Sequence, residues 1–147
     1  MGGTGQPSNG STIIPCLRYR DAQAAIDWLQ RAFGFHAQAV YADGDTVFHA
    51  QLTFGSGMIM LGSADRESAW SQHAAMPDEV GGRQTQSACV IVTDADAHYA
   101  RAKAAGARIV IDIADQDYGG RGYACADPEG YLWWFGSYDP WRADHGQ

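Results

Sequence analysis

Cysteine is scarce in this chain, and the three present (Cys16, Cys89, Cys125) include no CxxC pair. That leaves no disulfide framework and no zinc knuckle to hold the fold, and it suits a reducing cytoplasm. Basic residues are also few: 10 lysines and arginines stand against 17 aspartates and glutamates, a net charge of −7. A nucleic-acid partner, which needs a concentrated positive surface, is not expected. An acidic protein more readily attracts a cationic small molecule, or is simply kept soluble by its charge. No apolar run is long enough to span a bilayer, so no membrane partner is expected, and the opening residues lack the basic-then-apolar pattern of a secretory signal. A Ser-His-Asp triad, a phosphate-cradling glycine loop and a dinucleotide fingerprint are missing too; the glycine pairs at 81–82 and 119–120 read as turns.

What is present is ordinary globular composition, 46% apolar and 18% charged, in a chain of single-domain length. Residues 1–11, rich in Gly and Ser, read as a flexible tail and 142–147 as a second one. Between them the pattern runs strand, helix, strands, and then repeats. Ile13–Tyr19 is a short apolar run, and Asp21 caps a helix over Ala22–Phe33 that Gly34 ends. Ala37–Tyr41, Val47–Phe54 and Met58–Leu61 then read as antiparallel strands joined by tight turns. The second copy has a strand at Ser87–Val92, a cap at Asp94, a helix to Gly106, and strands at Arg108–Ile113, Gly122–Ala126 and Tyr131–Phe135. Asp21 to Asp94 and Gly57 to Gly130 are each 73 residues, and Gly34 to Gly106 is 72. Two copies are too few for a solenoid, so the spacing predicts one domain over 12–141: module 1 at 12–62, a connecting segment at 63–86, and module 2 at 87–137.

Alternation predicts which faces carry chemistry. Phe48, Ala50, Leu52 and Phe54 share one face of their strand, with His49, Gln51 and Thr53 on the other. In the same way Ala88, Val90 and Val92 oppose Ser87, Cys89 and Ile91. Uniformly apolar faces should pack under the helices, which leaves the mixed faces to line a concavity for a small molecule.

Paired βαβββ units, with Tyr118-Gly119-Gly120-Arg121-Gly122-Tyr123 followed by Asp127-Pro128-Glu129-Gly130-Tyr131-Leu132-Trp133-Trp134-Phe135-Gly136-Ser137-Tyr138, resemble the vicinal oxygen chelate superfamily. That group includes glyoxalase I, extradiol dioxygenases, fosfomycin-resistance enzymes and bleomycin-resistance proteins, and the likeness is to its glyoxalase/bleomycin-resistance-like branch. The resemblance implies an α+β fold of two tandem βαβββ modules pairing into a curved mixed sheet around a concave cavity, and a homodimer. It also implies four metal-ligand positions: Ile14, Leu61, Ser87 and Trp134. None offers an imidazole or carboxylate, and neither do their neighbours Pro15, Cys16, Met60, Gly62, Ala88, Trp133 and Phe135. No metal and no cofactor are therefore expected.

The expected ligand-contacting residues are His49, Gln51, Ser87, Cys89 and Trp134 on the mixed faces, with Trp70 from the connecting segment and Arg121. His49 reads as a wall residue of the cavity, Trp134 as an aromatic wall where a metal-binding carboxylate would otherwise stand. Cys16 and Cys89 are related by the repeat and read as small buried residues rather than reactive thiols, which would need an electropositive neighbour. His36, His73, His98 and His145 read as surface residues, Trp28 as core, and Trp141 as a surface or partner contact. The acidic stretch Asp112–Tyr118 reads as a solvated loop, with attraction of a cation as the alternative. Together these point to metal-independent binding of an aromatic or cationic small molecule, with antibiotic resistance as a possible role. The alternative is a lyase, isomerase or dioxygenase of the same superfamily that uses His49 as base or non-standard metal ligand, or Cys89 as nucleophile. A third reading is an accessory module whose connecting segment binds another protein.

Overall fold

The computed structural model describes residues 9–142, so His145 and most of the two expected tails lie outside the described residues. The chain divides into two compact units. The first holds the residues up to Gln72 except Arg31–Phe33; the second holds Arg31–Phe33 and the residues from His73 onward.

Each unit has the same plan. The first runs β1 (Cys16–Tyr19), α1 (Ala22–Phe33), β2 (His36–Asp43), β3 (Thr46–Phe54) and β4 (Gly57–Ser63). The second runs β5 (Ala88–Ile91), α2 (Ala95–Ala104), β6 (Arg108–Asp115), β7 (Arg121–Ala126) and β8 (Leu132–Gly136). Their sheets have the orders β1-β4-β3-β2 and β5-β8-β7-β6. In both, the first strand lies parallel to the last and the other pairs are antiparallel. The βαβββ repeat and the α+β class are thus as expected, with one four-stranded mixed sheet in each unit. Among the described residues no helix is long and apolar enough to cross a membrane.

Local chemistry sets the element ends. Asp21 accepts from the Ala24 N–H (3.1 Å), and Asp94 from the Ala97 N–H (3.0 Å), so both helices begin with a side-chain cap. Gly34 ends α1 in the left-handed region at φ 89. The turn before β8 is held by Asp127, which is buried. One carboxylate oxygen accepts from the N–H groups of Glu129 (3.0 Å) and Tyr131 (3.1 Å), the other from the Trp133 indole (3.1 Å). A serine hydroxyl repeats as well: Val47 N–H donates to Ser63 (2.8 Å), and Arg121 N–H donates to Ser137 (3.0 Å).

The strict alternation expected in β3 is broken by a bulge. Tyr41 pairs with His49 and Ala42 with Val47, so Phe48 is an extra residue with no partner on β2. The bulge shifts the side-chain period by one. Val47 becomes fully buried with Ala50 and Leu52, whereas Phe48, expected to pack under the helices, is 46% exposed.

His98, expected at the surface, is a core residue. Its Nε2 donates to the Phe33 carbonyl (2.8 Å) and its Nδ1 accepts from the Tyr123 hydroxyl (2.7 Å). The ring also packs at a tilt against Phe135, centroids 4.2 Å apart. A polar residue on the buried face of a helix is tolerated because both ring nitrogens are satisfied. The last turn of α1 supplies the other half of this cluster, with the Phe33 ring 5.4 Å from Trp133 and 4.6 Å from Phe135. Trp28 is core, as expected.

Burial lowers the pKa of His98 from its ordinary 6.5, so the native state holds it neutral. Below that pH the unfolded chain takes up a proton that native His98 refuses, and this contribution to stability is lost as pH falls. Urea unfolding from pH 7.5 to 5.0 should show a falling midpoint below about pH 6.5, with the fall reduced in His98→Gln after its own lower baseline is subtracted. Asp127→Ala should cost about 2 kcal/mol or more, because buried donors lose a charged acceptor; a Tm unchanged from wild type would contradict the hairpin role given to this carboxylate.

Candidate functional site

Each sheet has one buried face and one open face. In the first unit, Tyr19, Val47, Ala50, Leu52, Ile59 and Leu61 form the buried side. The parallel register sets Cys16 beside Met60 and Arg18 beside Gly62, and the antiparallel register sets Met60 beside Gln51, so these residues share the open side. Leu61, expected as a ligand position, is 3% exposed on the covered face instead. The register explains the shift: Met60 faces Cys16 as Trp134 faces Cys89. Met60, one residue short of the position that the hairpin glycines give, is therefore the counterpart of Trp134.

Two of the expected residues form one chain. His49 Nε2 donates to the Gln51 side-chain oxygen Oε1 (2.9 Å), and Gln51 Nε2 donates to Gln38 Oε1 (2.7 Å). In the tautomer that carries its proton on Nε2, the ring has Nδ1 as an acceptor. Tyr41 stacks beside the ring, centroids 6.1 Å apart.

Beside this chain lies a cavity of about 190 Å³ whose walls include Cys16, Arg18, Phe48, His49, Arg66 and Trp70. The bulge is what makes the consecutive residues Phe48 and His49 both face it. Gly62 lets β4 pass close to the bulge, since a β-carbon there would sit 3.2 Å from the Phe48 carbonyl oxygen. Arg18 Nη2 donates to the carbonyls of Ala64 (2.5 Å) and Arg66 (3.0 Å). Arg66 in turn donates to the Phe48 carbonyl (3.3 Å), with its guanidinium 5.0 Å from the Phe48 ring centroid. The two arginines thus tie the start of the connecting segment, and with it Trp70, to the rim of the sheet. Phe48, Arg18 and Arg66 were not among the expected contacts. Arg18 stands there by alternation with Cys16, whereas Phe48 and Arg66 are brought in by the bulge and the fold of residues 64–70, neither of which has a periodicity signal.

In the second unit the open face carries Cys89, Trp134 and Ala124, which are register partners. The Trp134 indole lies across two paired glycines. A β-carbon on Gly122 would collide with its ring, and one on Gly136 would stand 2.8 Å from its Nε1. Ser87 is exposed just before β5. Arg121 shares its strand face with Tyr123, the covered side, and donates to Asp115 (2.9 Å) and Asp96 (3.2 Å), which hold its pKa up. Asp112 accepts from the Tyr99 hydroxyl (2.7 Å), so two acids of the 112–118 stretch are engaged within this unit, and β6 takes in the residues up to Asp115.

The structure therefore gathers His49, Gln51 and Trp70 in the first unit, and Cys89 with Trp134 in the second. The residue pairs at the middle of the two open faces, Cys16–Met60 and Cys89–Trp134, offer thiol, thioether and indole groups. Among the described residues no three His, Cys, Asp or Glu side chains come together as a metal site would require. These residues do not fit the oxygen- and nitrogen-rich ligand set that the superfamily's metal enzymes imply.

The cysteines divide differently from expectation. Cys16 and Cys89 are exposed, while Cys125 is buried on the covered face. Partial loss of water around its sulfur raises the Cys89 pKa, which disfavours a thiolate nucleophile. Burial, helped by the Asp127 carboxylate, pushes Cys125 up to about 12.

Residues 12–135 match the Glyoxalase/Bleomycin resistance protein/Dioxygenase superfamily, and the chain belongs to it. An uncharacterized protein of Mycobacterium bovis is 32% identical over 125 residues, 84% of this chain and 81% of that one. TioX from Micromonospora sp. ML1 is 36% identical with a TM-score of 0.69, covering 86% of this chain and 98% of TioX. The fosfomycin resistance protein FosX of Listeria monocytogenes, solved with Mn(II) and sulfate, has a TM-score of 0.65 over 88% of this chain and 91% of FosX. At 13% identity it shares the fold alone.

A thiol reagent such as DTNB should titrate two cysteines in the native protein and the third only in urea. Peptide mapping should give Cys16 and Cys89 as the native pair, with Cys89 accelerating as pH is raised; rapid native labelling of Cys125 would contradict its burial.

Proposed function

We propose that the protein binds and sequesters a planar aromatic small molecule without the help of a metal ion, in the manner of a bleomycin-resistance protein, and that it works in the cytoplasm as a homodimer. Antibiotic resistance is the physiological role that such capture would serve. The reading rests on one observation above the others: Trp134 and its register counterpart Met60 put an indole and a thioether on the open faces where the family resemblance calls for a metal ligand, and cysteines stand beside both. Phe48, Trp70 and Tyr41 border the cavity of the first unit or its His49, and each presents a ring edge or face to a flat ligand. Pockets of this kind hold small molecules by apolar walls with a few polar groups that fix orientation.

A second reading is favoured by the His49–Gln51–Gln38 chain. A neutral imidazole whose Nε2–H is held by a neighbour has the orientation of a general base acting through Nδ1. This version is a metal-independent lyase or isomerase in which His49 removes a proton from a bound substrate, and its mark would be turnover lost in His49→Ala and indifferent to EDTA.

Dialysis against Mn²⁺, Zn²⁺ and Ni²⁺ followed by elemental analysis should leave no stoichiometric ion, and none of the three should raise Tm. Planar aromatic compounds should raise it, because a ligand specific to the native state stabilises that state. One tightly held ion per chain inside the pocket would overturn the proposal.

A further inference from the structure

The net charge of −7 favours a cationic ligand for the molecule as a whole. The cavity of the first unit has the opposite character. Its walls carry Arg18 and Arg66 and, among the described residues, include no aspartate or glutamate. Asp65 and Glu67 flank Arg66 in the chain, but both are exposed and lie outside the lining. Charges more than about 8–10 Å away are screened at physiological ionic strength, so the lining outweighs the distant acidic surface for a bound ligand.

From this we infer that the slot takes an anionic aromatic, a flat ring bearing a carboxylate or a group of like charge. The inference rests on the sequestration reading and names the ligand class for it. Arg66 supplies the recognition. Among the described residues its guanidinium makes one hydrogen bond to protein, the long 3.3 Å contact with the Phe48 carbonyl, and it sits over the Phe48 ring at 5.0 Å. A planar guanidinium held in this way still presents N–H donors in the fork geometry that matches a carboxylate. Phe48 owes its exposure to the bulge in β3, so the backbone irregularity serves ring stacking and arginine placement together. His49 adds a polar wall, and Trp70, 65% exposed, is available to close over a ring. Size narrows the class further. A cavity of about 190 Å³ is smaller than the roughly 300–1,000 Å³ of pockets for drug-sized ligands, and so suits one or two fused rings or one ring of a larger molecule.

Three isosteric probes separate the possibilities: 2-naphthoate, 2-naphthamide and 2-naphthylmethylammonium, measured by calorimetry and by thermal shift. The expected order is naphthoate first, at least about tenfold tighter than either of the others, with its advantage shrinking as salt is raised. Arg66→Gln should cut naphthoate affinity about three- to tenfold more than that of the amide, the modest size reflecting an exposed charge. The position of Arg66 at the surface makes this variant safe for folding, and equal wild-type and variant Tm values check that. Trp70→Leu should weaken all three probes together. Equal binding of the three, a preference for the ammonium, or an unchanged naphthoate-to-amide ratio in Arg66→Gln overturns the anion preference while leaving sequestration in place. Failure of all three to bind at millimolar concentration overturns the inference and the sequestration reading of this slot together.

Discussion

In each unit the first strand closes against the last in parallel, and the rest of the structure follows from that pairing. Parallel neighbours cannot be joined by a tight turn, so the chain leaves β1 through a helix, returns along the far edge as β2, and meanders back through β3 to β4. In the second unit the helix α2 packs against β6, β7 and β8. The register of the closing pair decides which residues share the less buried face: Cys16 with Met60, and Cys89 with Trp134. The buried side is defined with equal strictness, down to a histidine whose two nitrogens are both satisfied inside the core.

The two open faces have diverged on this common frame. In the second unit a tryptophan lies down on a floor of two glycines, so the face is filled by its own side chain. In the first unit the same strand position is a methionine, and the strand beside it carries a bulge rather than a glycine. The outcome is a slot in place of a plug. Arginines that tie the connecting segment to the sheet rim also give the slot its charge, so one set of contacts shapes the site and sets its preference. Charge of one sign over the molecule and charge of the other sign in the slot are compatible, because screening makes electrostatics local.

Several features were legible in the sequence because their signals are local. Asp21 and Asp94 had to cap, since a carboxylate before an apolar-periodic run has unpaired N–H groups within reach; the span of α1 follows residue by residue. The spacing of those caps and of the hairpin glycines revealed the repeat, and the Asp-Pro-Glu-Gly turn with the aromatic strand after it carried the family. His49 and Gln51 could be paired because they lie two apart on one strand. Other features had no local signal. Phe48 reads as an inward residue until the bulge moves it out. His98 reads as a surface histidine because its partners, Tyr123 and the Phe33 carbonyl, are distant in the chain. Leu61 and Met60 differ only by register, and a slip of one residue exchanges the two faces of a strand.

The sequence by itself determined the composition of the elements, their order and the βαβββ repeat, because hydrophobic period, capping and turn chemistry act between residues a few positions apart. It also shows that Ile14, Leu61, Ser87 and Trp134, the positions the family resemblance implies, carry no imidazole or carboxylate, although register puts Met60 in the place of Leu61. Tertiary structure decided which residues meet. The bulge at Phe48, the pairing of Met60 with Cys16, the burial of His98 and the approach of Arg18 and Arg66 to the slot all arise from contacts between segments far apart in the chain. Such contacts depend on strand register and on the path of irregular backbone, and neither has a periodic signature in the residues themselves.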